Sequence, residues 1–311
     1  MTGATAFRAS FDCLWCGTPH ATRGPDDLEG WAQLCPACLG RAGENPFLRF
    51  RLRTAIADRA AAGRTGDTAA TAAVAADESP VTEPETGSDP MVAYYEARAP
   101  EYDEWYPRRG RYARGAIHDM AWQADLDTAT AWLDALPLSG RIVELAAGTG
   151  WWSPLLATKG ELWCTDAASA PLDIARDRLV AHRLRAHLHV RDAWAEPDEP
   201  ADALFTGFWL SHVPRNRLAA FLGIARRWLP PGGTFAFIDS RFDPQSSAVD
   251  HEPSPDAETT VRRLNDGRTF TIPKVFYEPA ELESALRAAG FADASVTTTP
   301  RFFLLGRATA A

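Results

Sequence analysis

The stretch Ile142-Val143-Glu144-Leu145-Ala146-Ala147-Gly148-Thr149-Gly150-Trp151-Trp152 constrains this chain more than any other. An apolar, β-branched run that feeds straight into a glycine turn marks the exit from a strand, and the missing Cβ atoms let backbone amides approach a ligand closely. In an open α/β sheet such a turn lies at the carboxyl edge of the strands, where ligands bind. A nucleotide-type ligand is implied. Ser153 stands where a dinucleotide fingerprint has its third glycine, which argues against NAD, and no Gly-Lys-Ser/Thr follows to make a Walker loop.

Around this turn, short apolar runs alternate with amphipathic ones, the pattern of a parallel sheet covered by helices. Strands are expected at residues 141–146, 161–166, 187–191, 203–210 and 234–239, and helices at 152–157, 170–183 and 215–228. Leu229-Pro230-Pro231-Gly232-Gly233 stops the last helix. Asn265-Asp266-Gly267, flanked by Val261 to Leu264 and by Thr269 to Ile272, is a hairpin signal. A helix over 278–289 and two final strands complete the reading.

The 311 residues suffice for two domains, because single cores usually stop growing near ~250–300 residues. Residues 57–90 are rich in Ala, Thr, Pro and acid and nearly lack large apolar side chains, too little to offset the entropy of ordering them. The expected division is a front module at 1–64, a flexible linker at 65–90 and a second domain at 91–311. No run approaches the ~18 apolar residues of a membrane helix. The start MTGATAFRASFDC lacks the pattern of a secretory signal, so the expectation is a soluble, cytoplasmic protein without membrane attachment. The net charge of −9 opposes general attraction to nucleic acid, although residues 1–64 carry eight arginines against six carboxylates.

Cys13-Leu14-Trp15-Cys16 and Cys35-Pro36-Ala37-Cys38 are two CxxC pairs eighteen residues apart. Each short loop aims two thiolates at one ion, and together the pairs complete the tetrahedron of a zinc site. Disulfide pairing competes with this reading but requires an oxidising compartment that nothing marks here. Four thiolates leave no open coordination position, so the zinc is expected to be structural, in a zinc-ribbon or treble-clef-like module. Cys164, alone in an expected buried strand, reads as a small apolar residue. Asn45-Pro46 is expected to start a helix with Leu48, Leu52, Ala55 and Ile56 on one face, and Arg49 and Arg53 on another. That basic side is either a solvated face or a docking surface for RNA or an acidic protein partner.

From about Met91 to Ala311 the chain resembles the class I methyltransferases, which use S-adenosylmethionine. Their first motif, acidic-x-Gly-x-Gly-x-Gly, is matched by Glu144, Gly148 and Gly150, with Ala146 in place of the first glycine. The resemblance implies a seven-stranded, mostly parallel, doubly wound α/β sheet. It also implies that Asp166, with Ala167 beside it, holds the ribose hydroxyls, a task suited to a carboxylate that accepts from both. Asp192-Ala193-Trp194 match the part that takes the adenine edge, with Trp194 packed on the ring. Read singly, either aspartate is as readily a loop cap. Residues 94–106 resemble the N-terminal lid of small-molecule methyltransferases, which implies cofactor contacts from Tyr95 and Tyr102 and, less directly, from Arg98; an aromatic face packed on the domain is the competing reading.

Methyl transfer needs an in-line nucleophile, and a general base helps without being obligatory. His212, in Phe208-Trp209-Leu210-Ser211-His212-Val213-Pro214, is placed either to take a proton from an attacking hydroxyl or amine, or to cap the next helix. The same run lacks the Asn/Asp-Pro-Pro-aromatic pattern of enzymes that methylate base amines or glutamine. The leading expectation is methylation of a small-molecule substrate at oxygen or nitrogen. Two alternatives stay open: an rRNA or tRNA methyltransferase that grips RNA through its zinc module, and a non-catalytic protein-binding module that retains the fold.

Overall fold

The computed structural model describes residues 7–41, 48, 52, 55, 56, 59 and 89–311. The chain divides into two compact units, Met1–Ser79 and Pro80–Ala311. Among the described residues no helix is long and apolar enough to cross a membrane. The expected linker falls outside the described residues up to Ser88, as do Asn45, Pro46, Arg49 and Arg53.

In the first unit β1 (Ser10–Asp12) and β2 (Pro19–Ala21) form an antiparallel hairpin, followed by the short helices α1 (Leu28–Ala32) and α2 (Pro36–Gly40). The hairpin turn carries Cys13 and Cys16. Cys35 is the N-cap of α2 and Cys38 lies within it, so the second pair is presented by a helical turn and not by a second hairpin. Ala32, Leu34, Leu48 and Ala55 pack with three of the cysteines into a small core; Ile56, expected on that face, is exposed.

The second unit begins with α3 (Pro90–Arg98), capped by the Asp89 side chain on the Met91 amide at 2.8 Å, and α4 (Ala116–Ala135). The alternation then runs β3 (Arg141–Leu145), α5 (Ser153–Leu156), β4 (Glu161–Asp166), α6 (Ser169–Ala181), β5 (His187–Val190), β6 (Ala203–Gly207), α7 (Leu218–Trp228) and β7 (Thr234–Ser240). A hairpin of β8 (Thr259–Arg263) and β9 (Thr269–Pro273) follows, then α8 (Pro279–Ala288), β10 (Phe291–Thr298) and β11 (Phe303–Ala310). The expected strand at 203–210 stops at Gly207: Phe208 takes a left-handed φ of 60°, and Leu210–His212 form a 3-10 turn.

The seven-stranded sheet has the order β10-β11-β7-β6-β3-β4-β5, and only β11 runs against the rest. Its two faces are read directly from the period of two along each strand. Val143, Leu145, Leu204, Phe235 and Phe237 pack with Phe221 and Leu222 of α7 and Leu282 and Leu286 of α8. Ile142, Phe205, Ala236 and Ile238 pack with Trp122, Leu126 and Leu133 of α4 and Leu172 of α6. Burial on both faces explains why these strands are continuous apolar runs. The chain lays down β3, β4 and β5 in one direction and then returns to place β6 on the other side of β3. The carboxyl ends of β3 and β6 therefore flank the topological switch point, where such sheets form their ligand crevice.

Candidate functional site

At that switch point lies a cavity of about 620 Å³. Its wall brings together Tyr95, Tyr102, Ala146, Gly148, Asp166, Ala167, Asp192, Ala193, Trp194 and His212, all read from the sequence as site residues, and adds Met91 and Trp209. Glu144 and Gly150 are not in the wall. Glu144 is buried beneath the turn, where its carboxylate accepts from Ser153 Oγ at 2.5 Å and faces the Cys164 thiol at 3.5 Å. Ser153, which displaces the third glycine of a dinucleotide fingerprint, thus holds Glu144. Gly150 faces inward: a Cβ there would stand 2.7 Å from that of Ala175.

The turn itself is left-handed at three points, Ala146 (φ 51°), Gly148 (φ 56°) and Gly150 (φ 69°). Gly148 also admits the Tyr102 hydroxyl, which a Cβ would meet at 3.2 Å. The two tryptophans that follow are accommodated separately. Trp151 stacks on Tyr106 at 4.0 Å between centroids and Trp152 enters the core, where Gly207 makes room for it.

Asp166 closes β4, and its two oxygens accept the Gly148 amide at 2.8 Å and the Ala168 amide at 2.9 Å. Burial pushes its carboxyl up to about 6 against these hydrogen bonds. Asp192 accepts the Trp194 amide at 2.9 Å, and the Arg217 guanidinium lies 3.7 Å from the Trp194 ring centroid. Both aspartates therefore organise their own loops while lining the cavity, so the loop-cap and ligand readings are compatible: a carboxylate oxygen has a second lone pair.

The segment from α3 onward is tied to the sheet by carboxylates. Glu96 accepts from the Ser169 and Ala170 amides at the start of α6, and Asp103 accepts from Thr149 Oγ1 at 2.6 Å and pairs with Arg178. Neither was singled out in the sequence. Tyr95 donates its hydroxyl to His212 Nε2 at 2.8 Å, while His212 Nδ1 donates to the Pro273 carbonyl at 2.7 Å. The carbonyl fixes the tautomer, and burial with the nearby Lys274 and Arg262 charges holds the imidazole well below its ordinary range. His212 neither caps α7 nor presents a free lone pair.

Beyond the shared wall of Tyr95, Tyr102, Phe208 and His212 lies a second cavity, of about 570 Å³. Arg98 lines this one and not the first, which corrects its expected place among the cofactor contacts. Arg262 and Lys274 line it as well. Lys274 was legible as the single cation in the apolar run Phe270 to Tyr277 but was not picked out.

In the first unit, the Sγ atoms of Cys13, Cys16, Cys35 and Cys38 all lie within 4.8 Å of one another, a cluster that can hold a metal ion. The Cys35 amide donates to Cys13 Sγ at 3.3 Å, so the backbone supports the cluster as well.

Residues 142–233 match a family described as a methyltransferase domain. No curated protein matches the chain. Among solved structures, a complex titled DhpI-SAH is 31% identical, with 71% of this chain and 96% of that one covered and a TM-score of 0.55. A second, titled DhpI-SAM-HEP, is 31% identical over 70% and 95%, with a TM-score of 0.56. The CcbJ methyltransferase from Streptomyces caelestis shares the fold at 19% identity over 70% and 98%, with a TM-score of 0.50.

Burial pushes the Glu144 carboxyl up to about 7, although its hydrogen bonds with Ser153 and Cys164 pull the other way. A carboxyl whose folded value is raised contributes stability that is present in full below its unfolded value, near ~4.5, and lost as pH rises through the folded one. Unfolding free energy should therefore fall by about 2 kcal/mol between pH 5 and 8 relative to Glu144→Gln, which does not titrate. Urea titrations of both proteins across that range check it; parallel curves would show that Glu144 is ionised throughout.

Proposed function

The chain belongs to the S-adenosylmethionine-dependent methyltransferases, and from that premise we propose that it binds the cofactor in the cavity at the end of β3 and methylates a small molecule held in the cavity beside it. The observation that carries this reading is the pair of cavities meeting at one thin wall of Tyr95, Tyr102, Phe208 and His212. The first fits a nucleoside of this kind. It offers a backbone cradle at Gly148, a carboxylate at the end of β4 and an indole at Trp194, while its lining adds apolar surface from Met91 and Trp209. When bound, S-adenosylmethionine supplies an electrophilic methyl group on a sulfonium.

In this reading Asp166 accepts from the ribose hydroxyls, Asp192 and Ala193 meet the adenine edge, and Trp194 packs on the ring. Glu144 and Gly150 act from behind, by holding the turn in shape. Tyr95 and Tyr102 close the first cavity from the α3 side and exclude water, which strengthens every polar contact within. Enclosure by α3 and by the β8–β9 hairpin suits a small acceptor. Both DhpI complexes carry small ligands in their titles, which supports the same class.

The cysteine cluster is proposed to hold one structural Zn²⁺. Four thiols are a soft donor set suited to that ion, and a four-coordinate thiolate site has no position for a substrate. The RNA reading gains no specific observation beyond the arginine count of the first unit.

Asp166→Ala should weaken S-adenosylhomocysteine binding by roughly 1–3 kcal/mol, the scale for removing a hydrogen-bond partner from a buried group. Calorimetry on the folded variant decides, and an unchanged dissociation constant would remove the ribose assignment. For the metal, protein purified without added zinc should contain close to one equivalent, displaced in step with titration of the four thiols by a mercurial reagent. A zinc content near zero with four freely reactive thiols would refute the site.

A further inference from the structure

The second cavity has an unusual charge balance. Three permanent or near-permanent cations line it, Arg98, Arg262 and Lys274, and no carboxylate does. Among the described residues none of the three has a carboxylate oxygen within 4.0 Å; their contacts are neutral. Arg98 reaches only the Tyr112 hydroxyl, at 3.4 Å, and its Nε is buried without a partner. Arg262 donates to His251 Nδ1 at 2.9 Å and to Ser247 Oγ at 3.4 Å. Lys274, 9% exposed, donates to Ser211 Oγ at 2.8 Å and Ser240 Oγ at 3.2 Å. Asp239 stands behind it, spent on the Ser211 and Ser240 amides at 3.0 and 2.6 Å.

Cations withdrawn from water without counter-charges are costly, and a fold retains them where a ligand supplies the missing anion. The other polar groups of the cavity point the same way. Hydroxyls of Ser240, Ser246 and Ser247 line it and can donate to an oxyanion. Burial already draws the Lys274 ammonium down to about 8, so an arriving anion would restore its charge.

The wall shared with the first cavity also lacks a free base. His212 is fixed with Nδ1 as donor to Pro273, and its only lone pair in the ring plane is taken by Tyr95. A hydroxyl or ammonium acceptor would have nowhere close to send its proton. An acid that is ionised before it binds needs no base.

We propose that the acceptor is a small organic oxyanion acid, held by Arg98, Arg262 and Lys274, and that its own oxygen receives the methyl group to form an ester. This rests on the proposed function above. In the transfer a lone pair of the oxyanion forms the new O–CH3 bond as the methyl–sulfur bond breaks, its electron pair passing to sulfur. The sulfonium becomes a thioether, the acid loses one negative charge, and no proton is released.

The test uses the full chain saturated with S-adenosylhomocysteine, titrated in a calorimeter with n-propylphosphonate, butyrate and the neutral butyramide. At least one acid should bind at least about 30-fold more tightly than butyramide, the scale of a charge-assisted contact in a desolvated site. Preference for the phosphonate identifies a tetrahedral oxyanion, and preference for butyrate a carboxylate. Arg262→Gln should weaken that acid by at least about 10-fold and Arg262→Lys by less, with S-adenosylhomocysteine affinity kept within about twofold as the check on folding. Lys274→Met serves as the second variant. With labelled S-adenosylmethionine, the methyl group should appear in an alkali-labile ester with no acid released into weak buffer. Equal binding of butyramide, no acid binding below about 10 mM, acid binding untouched in both variants, or methyl transfer to a neutral acceptor each overturns the inference. Failure of the unaltered chain to bind S-adenosylhomocysteine is a different result and overturns the proposed function instead.

Discussion

Asp166 accepts the Gly148 amide with one carboxylate oxygen and the Ala168 amide with the other, so the turns after β3 and β4 are fixed to a single side chain. Everything else in the site is placed from that junction. The left-handed backbone at Ala146, Gly148 and Gly150 is costly for any chain with side chains, and it persists where surrounding contacts over-determine it. Here those contacts are Asp166 above the turn, and Glu144 with Ser153 beneath it. Asp103 binds the Thr149 hydroxyl, so the segment that follows α3 is anchored to the same turn and carries Tyr95 and Tyr102 into the crevice with it.

The two cavities that meet at this crevice have opposite character. The first is lined by the carboxylates of Asp166 and Asp192, the second by arginine and lysine. Tyr95 and His212 separate them and are hydrogen-bonded to each other, which neutralises both polar tips without placing a charge in the wall. A positively charged methyl donor on the acidic side and an anionic acceptor on the basic side would attract each other across that wall. In a water-poor site such a field is worth more than in bulk solvent, because the dipoles that make it are already oriented. The chemistry then depends on alignment and electrostatics, with little demand for proton transfer.

Much of this was legible in the sequence because it rests on local rules. Period-two apolar runs specified the strands, and the glycine turn located the crevice. The Asn265-Asp266-Gly267 signal located the hairpin. Most of the wall of the first cavity follows from strand ends, which sequence order fixes. The less legible features depend on long-range contacts. Gly207 gives no hint that it yields to Trp152, and Glu96 and Asp103 look like solvated helix charges until α6 and the turn are brought against them. Arg98 belongs to the same lid as Tyr95, yet three residues along a helix turn it toward a different cavity. His212 fell correctly beside the crevice, but its protonation state was decided by the Pro273 carbonyl on a distant hairpin, which no local pattern announces.

The most direct test of the central claim, that one wall divides a nucleoside cavity from an anion cavity, is a crystal structure of the full chain grown with S-adenosylhomocysteine and inorganic phosphate. The account predicts the nucleoside against Asp166 and Trp194, and phosphate oxygens on Arg98, Arg262 and Lys274, with Tyr95 and His212 between them. A nucleoside lying among the three cations, or a cation cavity that takes no phosphate while the nucleoside is fully bound, would contradict it.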